Sequence, residues 1–212
     1  MPDRSRAARP GAGAGECRVT GAVIAGGRSR RMGTDKRGLP VGGVPMLRRA
    51  VSAVAAVSDE MLVACRSETP PDPSILAGLD VRLVFDRPED AGPLAGVEAA
   101  LAAARFPLVL VLAGDMPWAE PPVLAALVAE AGRRPEAACV ALSTERGLEP
   151  LVAVYRRDVA LPAASGLLDA GRFRMHGLLS AIPCAPLDAA RWRPLDPEGR
   201  SARNINEAAD LA

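Results

Sequence analysis

At 212 residues, 49% of them hydrophobic and 24% charged, the chain fits one large globular domain and is too apolar for global disorder. Its 26 Lys and Arg residues nearly cancel 25 Asp and Glu residues to leave +1, so the basic excess of a general nucleic-acid binder is missing. No apolar run reaches the roughly 18 residues of a spanning helix, and with aromatics at 3% the core must be built from Ala, Val and Leu.

Residues 1–16 are rich in Arg, Ala, Gly and Pro and lack the apolar stretch of a secretory signal. They read as a disordered tail before one domain over 17–212. Cys17, Cys65, Cys139 and Cys184 are dispersed, with no C-x-x-C spacing. That argues against a zinc site or a disulfide framework and for a cytoplasmic location. His176 is the sole histidine, and neither G-x-S-x-G nor H-E-x-x-H occurs, so triad and metalloprotease chemistry are unsupported.

Residues 19–25 predict a first buried strand, broken by the glycine-rich segment Gly26 to Gly33. A helix follows over 45–57, with Pro45 in its first turn, where a missing N–H is harmless. Strands are predicted over 60–65 and 81–85, and a helix over 93–104. Residues 107–113 are continuously apolar, as a central parallel strand should be. Further on come a helix over 121–131, a strand over 137–142 and a strand over 151–155 near a sheet edge. A helix over 158–170, a weak strand over 182–187 and a short helix after Asn206 complete the chain. This alternation predicts an α/β domain, a mostly parallel sheet with helices on both faces. Ligands in such folds sit beyond the carboxyl ends of the strands, so the loops after Ala25, Phe85 and Ala113 matter most.

Those loops hold the unusual residues. In Ala25-Gly26-Gly27-Arg28-Ser29-Arg30-Arg31-Met32-Gly33, followed by Asp35-Lys36, glycines let backbone N–H groups approach phosphates, while Arg31 and Lys36 add charge. A glycine-rich surface turn with solvated arginines has the same composition, and the segment is neither a Walker A loop nor G-x-G-x-x-G. Asp115 directly follows a hydrophobic strand, where a carboxylate is costly unless hydrated or paired with a cation. It suits Mg²⁺ shared with phosphates, or else capping of the helix near Pro121. Asp86 is either a guanine-reading acceptor or a turn-initiating residue. Gly92 and Gly96 suit a ligand or close helix packing. Asn204 and Asn206, two apart on an extended segment, face the same way, although Asn206 equally suits a helix cap. His176, Arg172 and Arg174 read as solvated loop residues, and Trp118 and Trp192 as packing residues.

Taken together, Ala25-Gly26-Gly27-x-Ser29-x-Arg31-Met32-Gly33-x-Asp35-Lys36, Gly92-Pro93-Leu94-Ala95-Gly96, Gly114-Asp115-Met116-Pro117, Glu149-Pro150-Leu151-x-x-x-Tyr155 and Asn204-Ile205-Asn206 resemble the molybdenum cofactor guanylyltransferases of the MobA type. The order and spacing of these motifs, spanning about Val19 to Leu211, are far more specific than any one of them. The resemblance implies a single Rossmann-like, GT-A-like three-layer domain. It implies Mg²⁺-dependent transfer of GMP from GTP to the phosphate of molybdopterin, with release of pyrophosphate. Catalytic roles fall to Arg31, Lys36 and Asp115, with Asp115 on the metal. Nucleotide contacts fall to Ile24, Ala25, Gly26, Gly27, Lys36, Asp86, Gly96 and Asp115, and acceptor contacts to Asn204 and Asn206. Partners would be GTP, molybdopterin, and apo-molybdoenzymes or cofactor chaperones, with neither nucleic acid nor membrane. In this family Ala-Gly-Gly accompanies GTP and Ala-Ala-Gly accompanies CTP. Where the family often ends its second strand with Asn, this chain has Ala64-Cys65. Competing readings are a molybdopterin cytidylyltransferase, a phospholactate guanylyltransferase, a sugar-phosphate nucleotidyltransferase, and a non-catalytic nucleotide-binding module.

Overall fold

The computed structural model describes residues 18–26, 35–86 and 92–205. In chain order the elements are β1 (Val19–Ile24), the short hairpin β2 (Pro40–Val41) and β3 (Val44–Pro45), α1 (Met46–Ala55), β4 (Glu60–Cys65), β5 (Arg82–Phe85), α2 (Pro93–Ala103) and β6 (Leu108–Ala113). They continue with α3 (Pro121–Arg133), β7 (Cys139–Thr144), β8 (Gly147–Arg156), α4 (Arg157–Asp169), α5 (Met175–Ala181), β9 (Cys184–Leu187) and α6 (Ala189–Trp192).

The main sheet has seven strands in the order β5-β4-β1-β6-β8-β7-β9. β8 runs antiparallel to both neighbours and the other pairings are parallel. The expected α/β domain with a mostly parallel sheet is therefore present. Side chains alternate between the faces. Val19 and Val23 of β1 and Leu108, Leu110 and Leu112 of β6 point to one core with Leu47 and Val51 of α1 and Leu124 and Leu127 of α3. Ala22, Ile24, Val109 and Val111 point to the other, with Leu94 and Leu101 of α2 and Leu167 and Leu178 of α4 and α5. Both faces are covered, which is why the strands read as continuous apolar runs. Each fully buried Val or Leu contributes about 1.5–3 kcal/mol. Among the described residues no helix is long and apolar enough to cross a membrane.

Three expectations are corrected. The strand foreseen over 151–155 is not near an edge. It is the longer β8, lying between β6 and β7, because a tight turn at Glu145-Arg146 pairs Thr144 with Gly147 and folds β8 back from β7 against β6. The segment around His176 is not a loop, since Met175–Ala181 is helical. The predicted helix over 45–57 begins one residue later, because Pro45 closes the β2–β3 hairpin. Gly42 and Gly43, at φ 58° and 80°, make that hairpin turn possible, since both central positions need positive φ.

Candidate functional site

Strands β1, β4, β5 and β6 all end at one edge of the sheet. β1 lies between β4 and β6, so the chain leaves it in one direction and returns on the other side through β6. Such a switch point opens a crevice beyond the strand ends. The Gly114 N–H donates to the Ile24 carbonyl at 2.9 Å, continuing the β1–β6 ladder past the strand. A Cβ at Gly114 would sit 3.1 Å from that carbonyl oxygen, so glycine lets the β6 end lie against Ala25. Asp115 is thereby delivered beside the end of β1.

Asp115 does not cap α3. The N-cap there is Glu120, which makes no side-chain cap bond. The Asp115 backbone carbonyl accepts the Ile205 N–H at 2.9 Å. Burial pushes its carboxyl above the usual carboxylate range, and the charge of Lys36 pulls it part of the way back. Lys36 opens a 3-10 turn, Lys36–Gly38, whose N-cap is Asp35. An ammonium and a largely buried carboxylate thus share the crevice. No group of three His, Cys, Asp or Glu side chains among the described residues forms a metal cage. A divalent ion here would rest on Asp115 and oxygens brought by a ligand, as Mg²⁺ commonly does.

Asp86 follows β5, and its N–H donates to the Cys65 carbonyl at 3.1 Å. Its side chain leans over Gly26: a Cβ on that glycine would meet Asp86 Oδ2 at 2.8 Å. Asp86 Oδ1 is buried without a hydrogen-bond donor among the described residues, and burial raises its carboxyl. A buried acceptor without a donor is costly, and a ligand edge with N–H groups would satisfy it. Burial pushes the Cys65 thiol up to about 11, so it is not a thiolate nucleophile at neutral pH.

Three other expected residues, Gly96, Ile24 and Ala25, serve the sheet. Gly96 sits in the first turns of α2, where a Cβ would meet Ile24 Cγ2 at 2.9 Å. It is buried and packs α2 against β1. The Ile24 carbonyl is taken by Gly114, and the Ala25 N–H by the Ala64 carbonyl at 2.7 Å. Asn204 is exposed next to the buried Ile205, which packs with Val41 and Met46 and brings Asn204 to the Asp115 loop. Gly27, Arg31, Asn206 and the tail over 1–16 lie outside the described residues.

The structure adds residues to which the sequence reading assigned no role. Between Ala141 and Leu142 the β7–β8 register jumps, so that Ala141 faces Ala153 but Leu142 faces Glu149. This bulge around Pro150 is pinned by the buried Tyr155 hydroxyl, which donates to the Pro150 carbonyl at 2.7 Å. Bulges beside active sites re-aim side chains. Here the result is a half-buried Glu149 whose carboxyl is raised first by burial and also by Asp115, and lowered by His176. The spacing from Glu149 to Tyr155 was visible in the sequence; the direction of Glu149 was not. Nearby, a groove of about 590 Å³ is lined by Arg172, Phe173, Arg174, His176 and Ser180. Among the described residues its wall carries two arginines and no carboxylate. The Phe173 carbonyl comes close to Gly92 at the start of α2.

A family model described as the MobA-like NTP transferase domain matches residues 21–181. The chain is 36% identical to a protein of Chloroflexus aggregans named "Probable molybdenum cofactor guanylyltransferase", over 91% of each chain. It is 29% identical to the molybdenum cofactor guanylyltransferase of Desulfosudis oleivorans, over 91% of this chain and 92% of that one. Among solved structures, molybdopterin-guanine dinucleotide biosynthesis protein A of Archaeoglobus fulgidus superposes with a TM-score of 0.76 at 24% identity, covering 91% of this chain and 94% of that one. The 4-diphosphocytidyl-2C-methyl-D-erythritolsynthase of Anaerococcus prevotii gives 0.65 at 15% identity, over 92% and 93%. These two structures share the fold.

Proposed function

The chain belongs to the MobA-like NTP transferase family, and on that premise we propose that it transfers GMP from GTP to the phosphate of molybdopterin, releasing pyrophosphate. The observation that carries the base assignment is Asp86, whose buried Oδ1 has no donor among the described residues while Oδ2 leans over Gly26. Guanine offers two adjacent donors, N1–H and the amino group, which suit one carboxylate. Cytosine N3 and adenine N1 would each oppose it with a lone pair. The names of the relatives, which specify a guanylyltransferase, support the same choice.

An oxygen of the acceptor phosphate attacks the α-phosphorus of GTP in line. The bond to the β-phosphate breaks, and its electron pair leaves with pyrophosphate. This transfer depends on alignment and charge neutralisation more than on a protein nucleophile. Lys36 offsets charge on the β- and γ-phosphates, and Arg31 is assigned the same task. Asp115 would hold Mg²⁺: a largely buried carboxylate with raised affinity for protons is a group that a cation would satisfy. Bound there, Mg²⁺ supplies Lewis-acid stabilisation of charge at the α-phosphate and the leaving oxygens. The cationic groove with Arg172 and Arg174 receives the acceptor phosphate, which the carboxylates of Asp115 and Glu149 alone would repel. Asn204 and Asn206 are assigned to the acceptor as well.

The test is pyrophosphate release from purified protein with Mg²⁺, molybdopterin and each of GTP, CTP and ATP. The expected result is turnover with GTP at least about tenfold above the others, the effect of one unmet polar group of about 1–3 kcal/mol. Equal turnover with CTP would refute the guanine assignment. Nucleotide binding without release in any mixture would refute the transferase.

A further inference from the structure

Arg37 lies next to Lys36 in a segment for which the sequence reading names only Asp35 and Lys36. Its guanidinium is committed in several directions. Nε donates to Asp35 Oδ1 at 2.8 Å and to Oδ2 at 3.0 Å, and Nη2 donates to Asp35 Oδ2 at 2.7 Å. Nη1 donates to the Thr69 carbonyl at 2.7 Å, and Nη2 also approaches the Pro70 carbonyl at 3.5 Å. The Arg37 side chain is 16% exposed and the Asp35 side chain 46% exposed, so the arginine is packed down while the carboxylate it holds faces solvent. Asp35 in turn accepts the Arg37 backbone N–H at 3.0 Å, capping the turn that carries Lys36. The hydrogen bonds from the Arg37 side chain, more than its charge, hold the Asp35 carboxyl below its usual range against the opposing effect of burial.

One guanidinium therefore bridges two separate pieces of chain: the 3-10 turn bearing Lys36, and the loop that follows β4. On its far side backbone bonds tie the turn, the Leu39 N–H donating to the Lys36 carbonyl at 3.0 Å and the Met46 N–H to the Leu39 carbonyl at 2.8 Å. Two rows of N–H donors in a rigid fork are needed to hold a carboxylate and a pair of carbonyls at once, which arginine has and lysine lacks.

We propose that Arg37 is a positioning residue for Lys36: it latches the lysine turn to the β4 loop, so that the ammonium meets the triphosphate already in place. The proposal rests on the reading of Lys36 as a phosphate ligand. Preorganisation strengthens binding by removing an ordering step from the bound state. Arg37 touches no substrate in this account and acts through its neighbour.

The experiment is a double-mutant cycle on Mg·GTP affinity by calorimetry, with wild type, Arg37→Ala, Lys36→Ala and the double variant, and Arg37→Lys as a second probe. Arg37→Ala is expected to weaken GTP about five- to tenfold. On the Lys36→Ala background the same change should cost less than about twofold, because there is no ammonium left to position. Arg37→Lys should resemble Arg37→Ala, and guanosine, which lacks phosphates, should bind all variants alike. Full additivity in the cycle, or equal losses for GTP and guanosine, would make Arg37 a merely structural residue and overturn the proposal; so would an unchanged affinity in Arg37→Ala. If the wild type binds CTP or ATP in place of GTP, the guanine reading fails, while the cycle run with that nucleotide still decides the latch.

Discussion

Replacing Gly26 with Ala adds one carbon, which would sit 2.8 Å from Asp86 Oδ2, whereas ordinary contact begins at 3.4 Å. The carboxylate must therefore retreat by about 0.6 Å, the difference between those distances. Gly26 is not among the glycines with positive φ, so its backbone accepts a side chain, and the group that must yield is the end of a flexible one. The protein should fold normally while Asp86 loses its alignment. If Asp86 accepts two N–H groups from guanine, losing one charge-assisted bond costs about 1.5–3 kcal/mol, or roughly 10- to 150-fold in GTP affinity. Cytosine presents no such pair, so CTP binding should change little. Competition binding of Mg·GTP and Mg·CTP to wild type and Gly26→Ala, with melting curves to confirm folding, would measure the ratio. An unchanged GTP-to-CTP ratio in a folded variant would refute the argument, as would equal losses for both nucleotides.

Asp115→Asn tests the metal role and the sign of a buried charge. Burial raises the Asp115 carboxyl, so ionisation opposes folding above the folded-state pKa, and the opposition fades as pH falls through that value toward the unfolded one. In Mg²⁺-free buffer the variant should melt higher than wild type at neutral pH and lose that advantage in acid, while Mg²⁺-dependent turnover falls by at least about 10²-fold, the several kcal/mol that a metal supplies. A lower melting point with intact specific activity would instead mean a structural carboxylate. Lys36→Ala should raise the KM for GTP about tenfold or more through loss of a charged hydrogen bond of about 1.5–3 kcal/mol, with Lys36→Arg restoring part of it; wild-type kinetics would remove Lys36 from the site. Tyr155→Phe leaves the Pro150 carbonyl buried without its donor, a cost of about 1–3 kcal/mol, or roughly 2–4 °C of melting temperature per kcal/mol; an unchanged Tm would show that the bulge needs no pin.

The inner strands were legible because burial on both faces leaves them mostly apolar: β6 is an uninterrupted apolar run, and β1 and β4 depart from one only at Thr20 and Gly21 and at Glu60. β8 was harder. Its first half carries Glu149 and Pro150, which look like loop, and a bulge there breaks the two-residue period on which strand reading depends. The hairpin β2–β3 is two residues per strand, too short for any period, and only Gly42-Gly43 announced it. α5 was hidden by its length and by Gly177. Within the site, Asp86 and Asp115 were visible as carboxylates ending strands, an expensive place for a charge. What the sequence could not decide was whether Asp115 capped α3, since that depends on where the helix starts in space. Glu149 was visible only as part of a motif. Its direction arises from the register jump at Ala141 and Leu142, a pairing between distant segments that local pattern does not contain.

The bond from the Ile205 N–H to the Asp115 carbonyl has a consequence for the order of events on the ribosome. The strands that frame the crevice are complete by Ala113, and helices to cover them follow soon after. The residue that closes on the Asp115 loop, together with the Asn204 beside it, is made long after them. A nascent chain can thus assemble β1, β4, β5 and β6 and bury much of its core while the Asp115 loop still lacks the Ile205 N–H. Sheet formation and closure of the crevice would then be separate stages of synthesis. Arrested chains released at successive lengths should gain protease resistance first and nucleotide affinity only once Ile205 is included; affinity in chains that stop short of it would show that the crevice closes without this strap.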